Sequence, residues 1–249
     1  SPKALSSDVD WLLREAATHL ASFSPNEDAT PASTWRGWRP LATNPYDASG
    51  HVSRDHVVAE SPETGVLSVV GGKWTTYRRM AQDVVDRLSP DVPCATLDHV
   101  LVGGDGSSSV KELLRDLHAF VESKDALRFL TRDDRPALAR LAAAYGVDAP
   151  ALLDTYPHLA VRLHADFPVL EAEVAWACDS EYARTVYDVL AFRTRLAFLD
   201  ADAALHAAPR VADIMASCLV WSDAQRDRHL HDALAALRDF QPPTRRAPS

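Results

Sequence analysis

The sequence predicts an α+β protein, a β-containing first part followed by a mainly α-helical second part. Two observations carry this. Residues 65–70 are a nearly continuous apolar run that stops at Gly71-Gly72 and gives way to helical periodicity. Beyond about residue 105, apolar side chains recur mostly at three- and four-residue spacing. The expected organisation is therefore 1–105, 106–240, and a Pro-rich tail, 241–249, that frays.

The elements follow in order. Ser7-Asp8-Val9-Asp10 resembles a capping box, and Val9, Leu12, Leu13, Ala16, Ala17 and Leu20 predict an amphipathic helix over 8–21. Residues 22–34 are rich in Ser, Pro, Asn, Asp and Thr and read as a loop. The stretch from Trp35 to Glu60 mixes aromatics, arginines and turn residues, which suits an irregular functional segment. A strand over 65–70, a glycine turn, and a helix carrying Tyr77, Met80, Val84 and Leu88 come next, and Thr96–Val102 predicts a second strand. Val110, Leu113, Leu114 and Leu117 mark a helix, and Asp134 before Arg135-Pro136 with Gly146 beyond Tyr145 brackets another. Glu171–Trp176 alternates enough for a short strand, 181–199 reads as one long helix, and Pro209 reads as the opening of a further one. Ser222 and Gln225 predict a capping box for the last helix.

Composition bounds the function. The chain has 249 residues, 47% of them hydrophobic, enough to bury a core. With 35 acidic against 26 basic side chains and a net charge of -9, it carries no overall positive field for nucleic acid or anionic lipid. An anion site has to be local. Cys94, Cys178 and Cys218 are far apart in sequence, odd in number and without CxxC spacing, which argues against a disulfide framework and against zinc; no metal is expected. No apolar run approaches the roughly 20 residues that span a bilayer, so membrane contact is expected to be peripheral. The chain begins with Ser rather than Met, and the expectation is a piece of a longer polypeptide or a processed product.

The chemistry concentrates in residues 65–81, GVLSVVGGKWTTYRRMA. A strand that runs through two glycines into a helix presents backbone N–H groups to an anion or a polarised carbonyl, and small residues let a ligand approach closely. Lys73 adds a charge there, and Thr75 and Thr76 add hydroxyls. The segment is not a P-loop, because Val66 stands where the first glycine of GxxxxGK belongs. A tight turn closing a strand is the plain alternative for Gly71-Gly72. Against it stand Arg39 before Pro40, Arg54 in SRDHVV, and Lys73, three cations at segment junctions of an acidic chain that suit convergence on a phosphate.

Taken together, WRGWRPLATNP, SRDHVV, GVLSVVGGKWTTYRRMAQDVVD and EAEVAWACDSEYARTVYDVLAFRTRLAFLDADAAL resemble the successive C-terminal blocks of the FAD-dependent glycerol-3-phosphate dehydrogenase family. The resemblance implies that 1–105 is the C-terminal part of a FAD- and substrate-binding α/β region and that 106–240 is the family's helical C-terminal domain. It implies oxidation of sn-glycerol 3-phosphate to dihydroxyacetone phosphate, with electrons passing from FAD to a membrane quinone. By the same resemblance Arg39, Arg54 and Lys73 hold the substrate, with Lys73 and Arg39 nearest the chemistry, while Gly71, Gly72, Thr75 and Thr76 meet the flavin. A helix N-terminus and Lys73 would stabilise negative charge arriving on the flavin. Expected partners are glycerol 3-phosphate, the quinone, the N-terminal FAD-binding domain of the same polypeptide, and a second copy in a homodimer. The expected location is the mitochondrial inner membrane in a eukaryote or the cytoplasmic face of the plasma membrane in a bacterium.

The departures are informative. No GxGxxG turn for the FAD pyrophosphate occurs in these residues, so the chain alone is expected to hold FAD weakly and to turn over nothing. No DxDxDG loop supports calcium binding. Two other readings stand beside the dehydrogenase: a helical interaction module without chemistry, and an oxidase that passes electrons to oxygen. His51 and His56 flank Arg54 and suit either a substrate cleft or a structural role. Trp35, Trp38 and Trp74 suit flavin stacking or, more commonly, core packing. His229 and His231, two apart, do not share a helix face, and Arg184, Arg193 and Arg195 read as a solvated face or a contact to another domain.

Overall fold

The computed structural model describes residues 2–23, 30–38, 42–43, 52–53, 55–104, 108–128, 130 and 134–243. The chain divides into two units, one made of Ser1–Arg36 with Leu101–Ser249 and the other of Gly37–Val100. The first 36 residues therefore group with the helical unit and not with the strand-bearing segment. Backbone bonds explain this. Thr34 N–H donates to the Phe240 carbonyl at 2.8 Å and Ala201 N–H to the Ala32 carbonyl at 3.0 Å. The Ser33 hydroxyl donates to the Ala197 carbonyl at 2.6 Å, and Trp35 meets Phe198 edge-on at 5.5 Å.

The helical unit begins with α1 (Ser6–His19). Its start is set by Asp8, whose carboxylate accepts from Leu5 N–H at 3.4 Å, so the cap lies two residues before the expected one. Next come α3 (Val110–Glu122), α4 (Arg135–Tyr145) and α5 (Ala149–Thr155). Ser109 Oγ accepts from Glu112 N–H at 3.3 Å while the Glu112 carboxylate accepts from Ser109 N–H at 2.8 Å, a reciprocal cap that fixes where α3 begins. Leu117, Leu138, Leu141, Leu152 and Leu153 bury the facing sides of these helices in one apolar cluster. Gly146 ends α4 at φ +57°, and a Cβ there would sit 1.8 Å from the Gly103 carbonyl oxygen. That carbonyl accepts from Val147 N–H at 2.9 Å, so only glycine lets the two backbones meet.

A short antiparallel hairpin, β5 (Arg162–His164) and β6 (Phe167–Leu170), leads into α6 (Glu171–Ser180). Here the expected strand over 171–176 is a helix. All of Glu171–Ala175 is buried, so the residues show no solvent face, and a helix buried all round cannot be told from an alternating strand in so short a window. Glu173, third in the helix, turns back to accept from Leu170 N–H at 2.9 Å and caps it.

The single helix expected over 181–199 is broken twice. Tyr182 and Arg195 both take positive φ, at 58° and 60°. Between them the Asp188 carboxylate accepts from the Arg184 and Thr185 amides at 3.0 and 2.9 Å, and Asp188 N–H donates to Thr185 Oγ1 at 3.1 Å. That Thr-x-x-Asp box starts a wide turn over Asp188–Arg193, closed by Thr194 N–H on the Val189 carbonyl at 2.9 Å. A short α7 (Leu196–Leu199) follows, then α8 (Ala201–Leu219) and α9 (Asp223–Leu237). Pro209 lies inside α8 and does not open it. The start is set by Asp200, whose carboxylate accepts from Ala203 N–H at 2.8 Å, and buried Ala203, Ala204, Ala207, Ala208 and Val211 carry the helix through the proline. Ser222 and Gln225 form the expected box on α9. Residues 96–102, expected as a strand, carry no regular structure. Of the expected tail, residues 244–249 lie outside the described residues.

α6 touches both apolar clusters: Ala172 belongs to that of α3–α5, and Val174, Ala175, Ala177 and Cys178 belong to that of α8 and α9. Between them sits the fully buried Glu173 side chain. Its carboxylate also accepts from Tyr145 Oη at 3.1 Å and pairs with Arg140 Nη1 at 2.9 Å. Burial pushes the Glu173 carboxyl upward against the pull of Arg140, and burial next to Glu173 pushes the Tyr145 phenol upward too. Glu171 makes two bonds to Arg210 of α8, at 2.7 and 2.6 Å.

The cysteines, distant in sequence, are not all distant in space. All three are free thiols, but Cys218 packs against the apolar cluster that contains Cys178, where α6 meets α8, and the two thiols interact.

Replacing Glu173 by Ala leaves Arg140 and Tyr145 facing each other without a carboxylate and is expected to cost about 3–5 kcal/mol, read as a shift of the urea midpoint. Tyr145→Phe is expected to cost only about 1 kcal/mol, since the carboxylate keeps its other partners. Gly146→Ala is expected to destabilise by about 3 kcal/mol through strain at positive φ and the clash with Gly103. A midpoint unchanged in Gly146→Ala would refute that backbone contact.

Candidate active site

The second unit is built around an antiparallel hairpin of β3 (His56–Glu60) and β4 (Leu67–Gly71), in register from His56 opposite Gly71 to Glu60 opposite Leu67. The expected strand over 65–70 is thus present, and Ser61 N–H on the Val66 carbonyl at 2.9 Å closes the loop between the two. A shorter pair, β1 (Ala42–Thr43) and β2 (Val52–Ser53), precedes it. Gly71 and Gly72 leave the hairpin at φ 77° and 85°, a backbone path that L side chains rarely take. Lys73 is extended, Trp74–Thr76 form one tight helical turn, and α2 (Tyr77–Leu88) continues it. The strand, glycine turn and helix of the sequence reading are therefore in place.

The end of this turn faces solvent. Lys73, Trp74, Thr75 and Thr76 are all exposed, Trp74 by 87%. Thr76 N–H and Oγ1 both reach the Lys73 carbonyl at 3.0 Å, so the Thr76 hydroxyl proton has an intrachain acceptor. No side chain caps the start of the turn, and the exposed Thr75 and Lys73 add a hydroxyl and a positive charge beside its first backbone N–H groups. Trp74 stacks on Tyr77 at 5.8 Å.

Of the residues singled out by sequence, Gly71, Gly72, Lys73, Thr75 and Thr76 come together on this one turn. Arg39, Arg54 and His51 lie outside the described residues. The tryptophans are not core residues: Trp35 is 64% exposed against Phe198 in the helical unit, and Trp38 and Trp74 are more exposed still. Arg193 pairs with Glu181 at 3.4 Å and the Arg195 guanidinium lies over Phe198 at 5.7 Å, so both serve their own unit. His229 stacks on Trp221 at 4.0 Å. Among the described residues no three His, Cys, Asp or Glu side chains are grouped to hold a metal ion, and no helix is long and apolar enough to cross a membrane.

Sequence reasoning missed how α2 is held. His56 Nε2 lies 2.8 Å from Asp83 Oδ2, Asp83 Oδ1 takes Arg79 Nε at 2.9 Å, and Arg87 donates to the Val58 carbonyl at 2.9 Å. Met80, Asp83 and Arg87 recur at three- and four-residue spacing, a polar-edged face that a purely apolar count of the helix overlooks. These side chains border a cleft of about 400 Å³ lined by His56, Val58, Asp83, Asp86 and Arg87. Beyond α2, Arg78 reaches Thr96 Oγ1 at 3.1 Å and lies 3.9 Å from Cys94 Sγ. The Thr96 hydrogen bonds, with a smaller contribution from Arg78, hold the exposed Cys94 thiol below its usual range.

Residues 94–226, more than half of the chain, match the family model for the C-terminal domain of alpha-glycerophosphate oxidase. The chain belongs to that family. It is 34% identical over 238 residues to the mitochondrial glycerol-3-phosphate dehydrogenase of Mesocricetus auratus, which covers 92% of this chain and 32% of the relative. A mitochondrial glycerol-3-phosphate dehydrogenase of Arabidopsis thaliana is 37% identical over 220 residues, 84% of this chain and 35% of the relative. The chain thus spans about a third of the length of these relatives. The X-ray structure of a glycerol-3-phosphate dehydrogenase from Bacillus halodurans, complexed with FAD, shares the fold at a TM-score of 0.72 and 22% identity, covering all of this chain and 48% of that one.

Iodoacetamide at neutral pH is expected to modify Cys94 before Cys178, whose thiol is buried and pushed upward by its interaction with Cys218 and by burial. Peptide mapping of the labelled chain reads the order, and labelling of Cys178 first would contradict the packing of α6 on α8.

Proposed function

We propose that this chain is the C-terminal portion of a FAD-dependent glycerol-3-phosphate dehydrogenase, which oxidises sn-glycerol 3-phosphate to dihydroxyacetone phosphate and passes the electrons to a membrane quinone. The observation that carries the reading is the Gly71–Thr76 turn, where a glycine pair at positive φ is followed by an exposed lysine and an uncapped helical start. The names of the relatives, the FAD of the Bacillus protein and the family's own description support it.

The residues of the turn suit a flavin. Backbone N–H groups, the Thr75 hydroxyl and Lys73 offer hydrogen bonds and positive charge to an edge that becomes anionic on reduction, and Gly71 and Gly72 supply the positive-φ path that leads the chain into this turn. Thr76 supports the turn through the Lys73 carbonyl. FAD, when bound, supplies the two-electron acceptor for the hydride leaving C2 of the substrate. The chain's own contribution is binding and charge: Arg39 and Arg54 hold the phosphate through paired N–H donors, and Lys73 stands at the C2 oxygen or the phosphate. In this reading the proton of the C2 hydroxyl passes to solvent as the carbonyl forms.

The second unit also suits a piece of a larger domain. Val58 is its buried apolar side chain among the described residues, whereas Val69, Val70, Val85 and Leu88 are exposed by 42–66%. A two-stranded hairpin with one small helix is marginal by itself. We assign the covering surface to the N-terminal FAD-binding domain of the longer polypeptide. The chain alone therefore turns over nothing, and the full-length protein works as a peripheral membrane enzyme, at the mitochondrial inner membrane in a eukaryote and at the cytoplasmic face of the plasma membrane in a bacterium. A homodimer is the assembly proposed with it.

In the full-length protein, Lys73→Ala is expected to lower kcat/KM for glycerol 3-phosphate at least about 100-fold. Arg54→Ala is expected to raise KM strongly with flavin content intact, and an unchanged KM would remove its phosphate role. The family description names an oxidase, which favours oxygen as a second acceptor. Peroxide formed in air at the rate of dye or quinone reduction would decide for the oxidase.

A further inference from the structure

We infer that His56 and Asp83 are positioning residues for the Gly71–Thr76 turn, a side-chain clamp that fixes where Lys73 and the turn's amides point. This rests on the reading above that the turn meets the flavin, and it concerns residues with no role in that reading. Asp83 as a carboxylate only accepts, so the proton between the two belongs to His56 Nε2, which donates across 2.8 Å.

The geometry is that of a soft segment held between two stiff ones. Gly71 and Gly72 are consecutive residues at positive φ, the least sterically restricted pair in the unit. On the near side His56 stands opposite Gly71 in the β3–β4 ladder, so its backbone is locked to the residue where the turn begins. On the far side Asp83 lies in the second turn of α2, the helix that the glycines lead into. One hydrogen bond thus bridges the entry and the exit of the turn.

The surroundings hold the clamp in one arrangement. A Cβ on Gly72 would lie 3.0 Å from His56 Cβ and 2.6 Å from Met80 Sδ, so His56 and α2 already press on the turn from both flanks. Arg79 takes the other oxygen of Asp83 and fixes its rotamer. Arg87, one helical turn further, ties α2 to the Val58 carbonyl of β3. With Arg87 alone, α2 keeps one anchor and pivots about it at the glycines. With both, its start has one direction. Misplacing reacting groups by about 1 Å costs on the order of 100-fold in rate, so a tie that leaves contact with substrate to others still governs turnover.

The test uses the full-length flavoprotein with His56→Ala, which removes the tie, and His56→Gln, whose amide restores a donor to Asp83. His56→Ala is expected to lower kcat about 10- to 100-fold with KM for glycerol 3-phosphate within about threefold and flavin content unchanged. It is also expected to weaken sulfite binding to the flavin about tenfold, because the positive turn no longer faces the ring. Hydrogen exchange of the 71–76 amides is expected to speed up at least about tenfold. His56→Gln recovers most of all three. If His56→Ala leaves exchange of these amides unchanged, there is no clamp. If kcat per bound flavin and sulfite affinity stay at the wild-type value while only the melting temperature falls, or if His56→Gln matches His56→Ala in every readout, the pair is merely structural and the inference is overturned. Should the wild-type protein fail to oxidise glycerol 3-phosphate, the proposed function falls, and exchange and sulfite binding still judge the clamp.

Discussion

A carboxylate inside a protein has lost its water, and something must replace it. At Glu173 the replacement is complete: the Leu170 amide, the Tyr145 phenol and the Arg140 guanidinium all point at two oxygens with no solvent exposure. The site lies where α6 passes from one apolar cluster to the other, and its partners come from α4 and from the β6–α6 junction. Apolar contacts alone are indifferent to small rotations of a helix. A buried charge with three directional partners is not, since each lost bond leaves a desolvated group behind. We therefore regard Glu173 as the constraint that sets the register of α6 against α4, with the Glu171–Arg210 pair doing the same toward α8 at the partly solvated end. Such a network need not raise stability over a well-packed apolar isostere. What it defines is a single arrangement.

The strand-bearing unit uses the same device on a smaller scale. It has little apolar burial to orient α2, and the orientation comes instead from polar ties to β3 through His56–Asp83 and Arg87–Val58. Each unit thus relies on a carboxylate held by a cation or a ring N–H, but the surroundings differ. Glu173 is enclosed, and its partners cannot be exchanged for water. Asp83 is partly open, bordering a cleft of about 400 Å³, where water competes and the tie is correspondingly weaker. The candidate site is built on the weaker of the two.

How much of this was legible in the sequence depends on the range of the signal. Capping chemistry acts over three or four residues, and Ser109/Glu112 and Ser222/Gln225 sit where helices begin; Thr185/Asp188 carried the same signature and marks the break in the long helix that apolar spacing alone had suggested. Gly71-Gly72 was readable because glycine pairs after an apolar run have few other uses. Glu171–Trp176 was misread because total burial erases the polar face on which periodicity depends, and Pro209 because a rule about isolated helices was applied to one embedded in a core. The thiol contact of Cys178 with Cys218 and the reach of His56 to Asp83 had no local mark at all. They exist only once distant segments have packed. The turn of the candidate site was legible for the opposite reason, being contiguous in sequence.

The β3–β4 ribbon, finally, has consequences for handling the molecule. Among the described residues it is a sheet of only two strands, so each strand pairs on one side alone, and the outward N–H and C=O groups beside Val69 and Val70 await a neighbour. Water satisfies them at high dilution. As concentration rises, another ribbon of the same kind becomes a competing neighbour, and apolar side chains beside an open ladder make that union adhesive. The open ribbon is thus a place where isolated chains can stack edge to edge, and a lysine set beside Val69 and Val70 would oppose it.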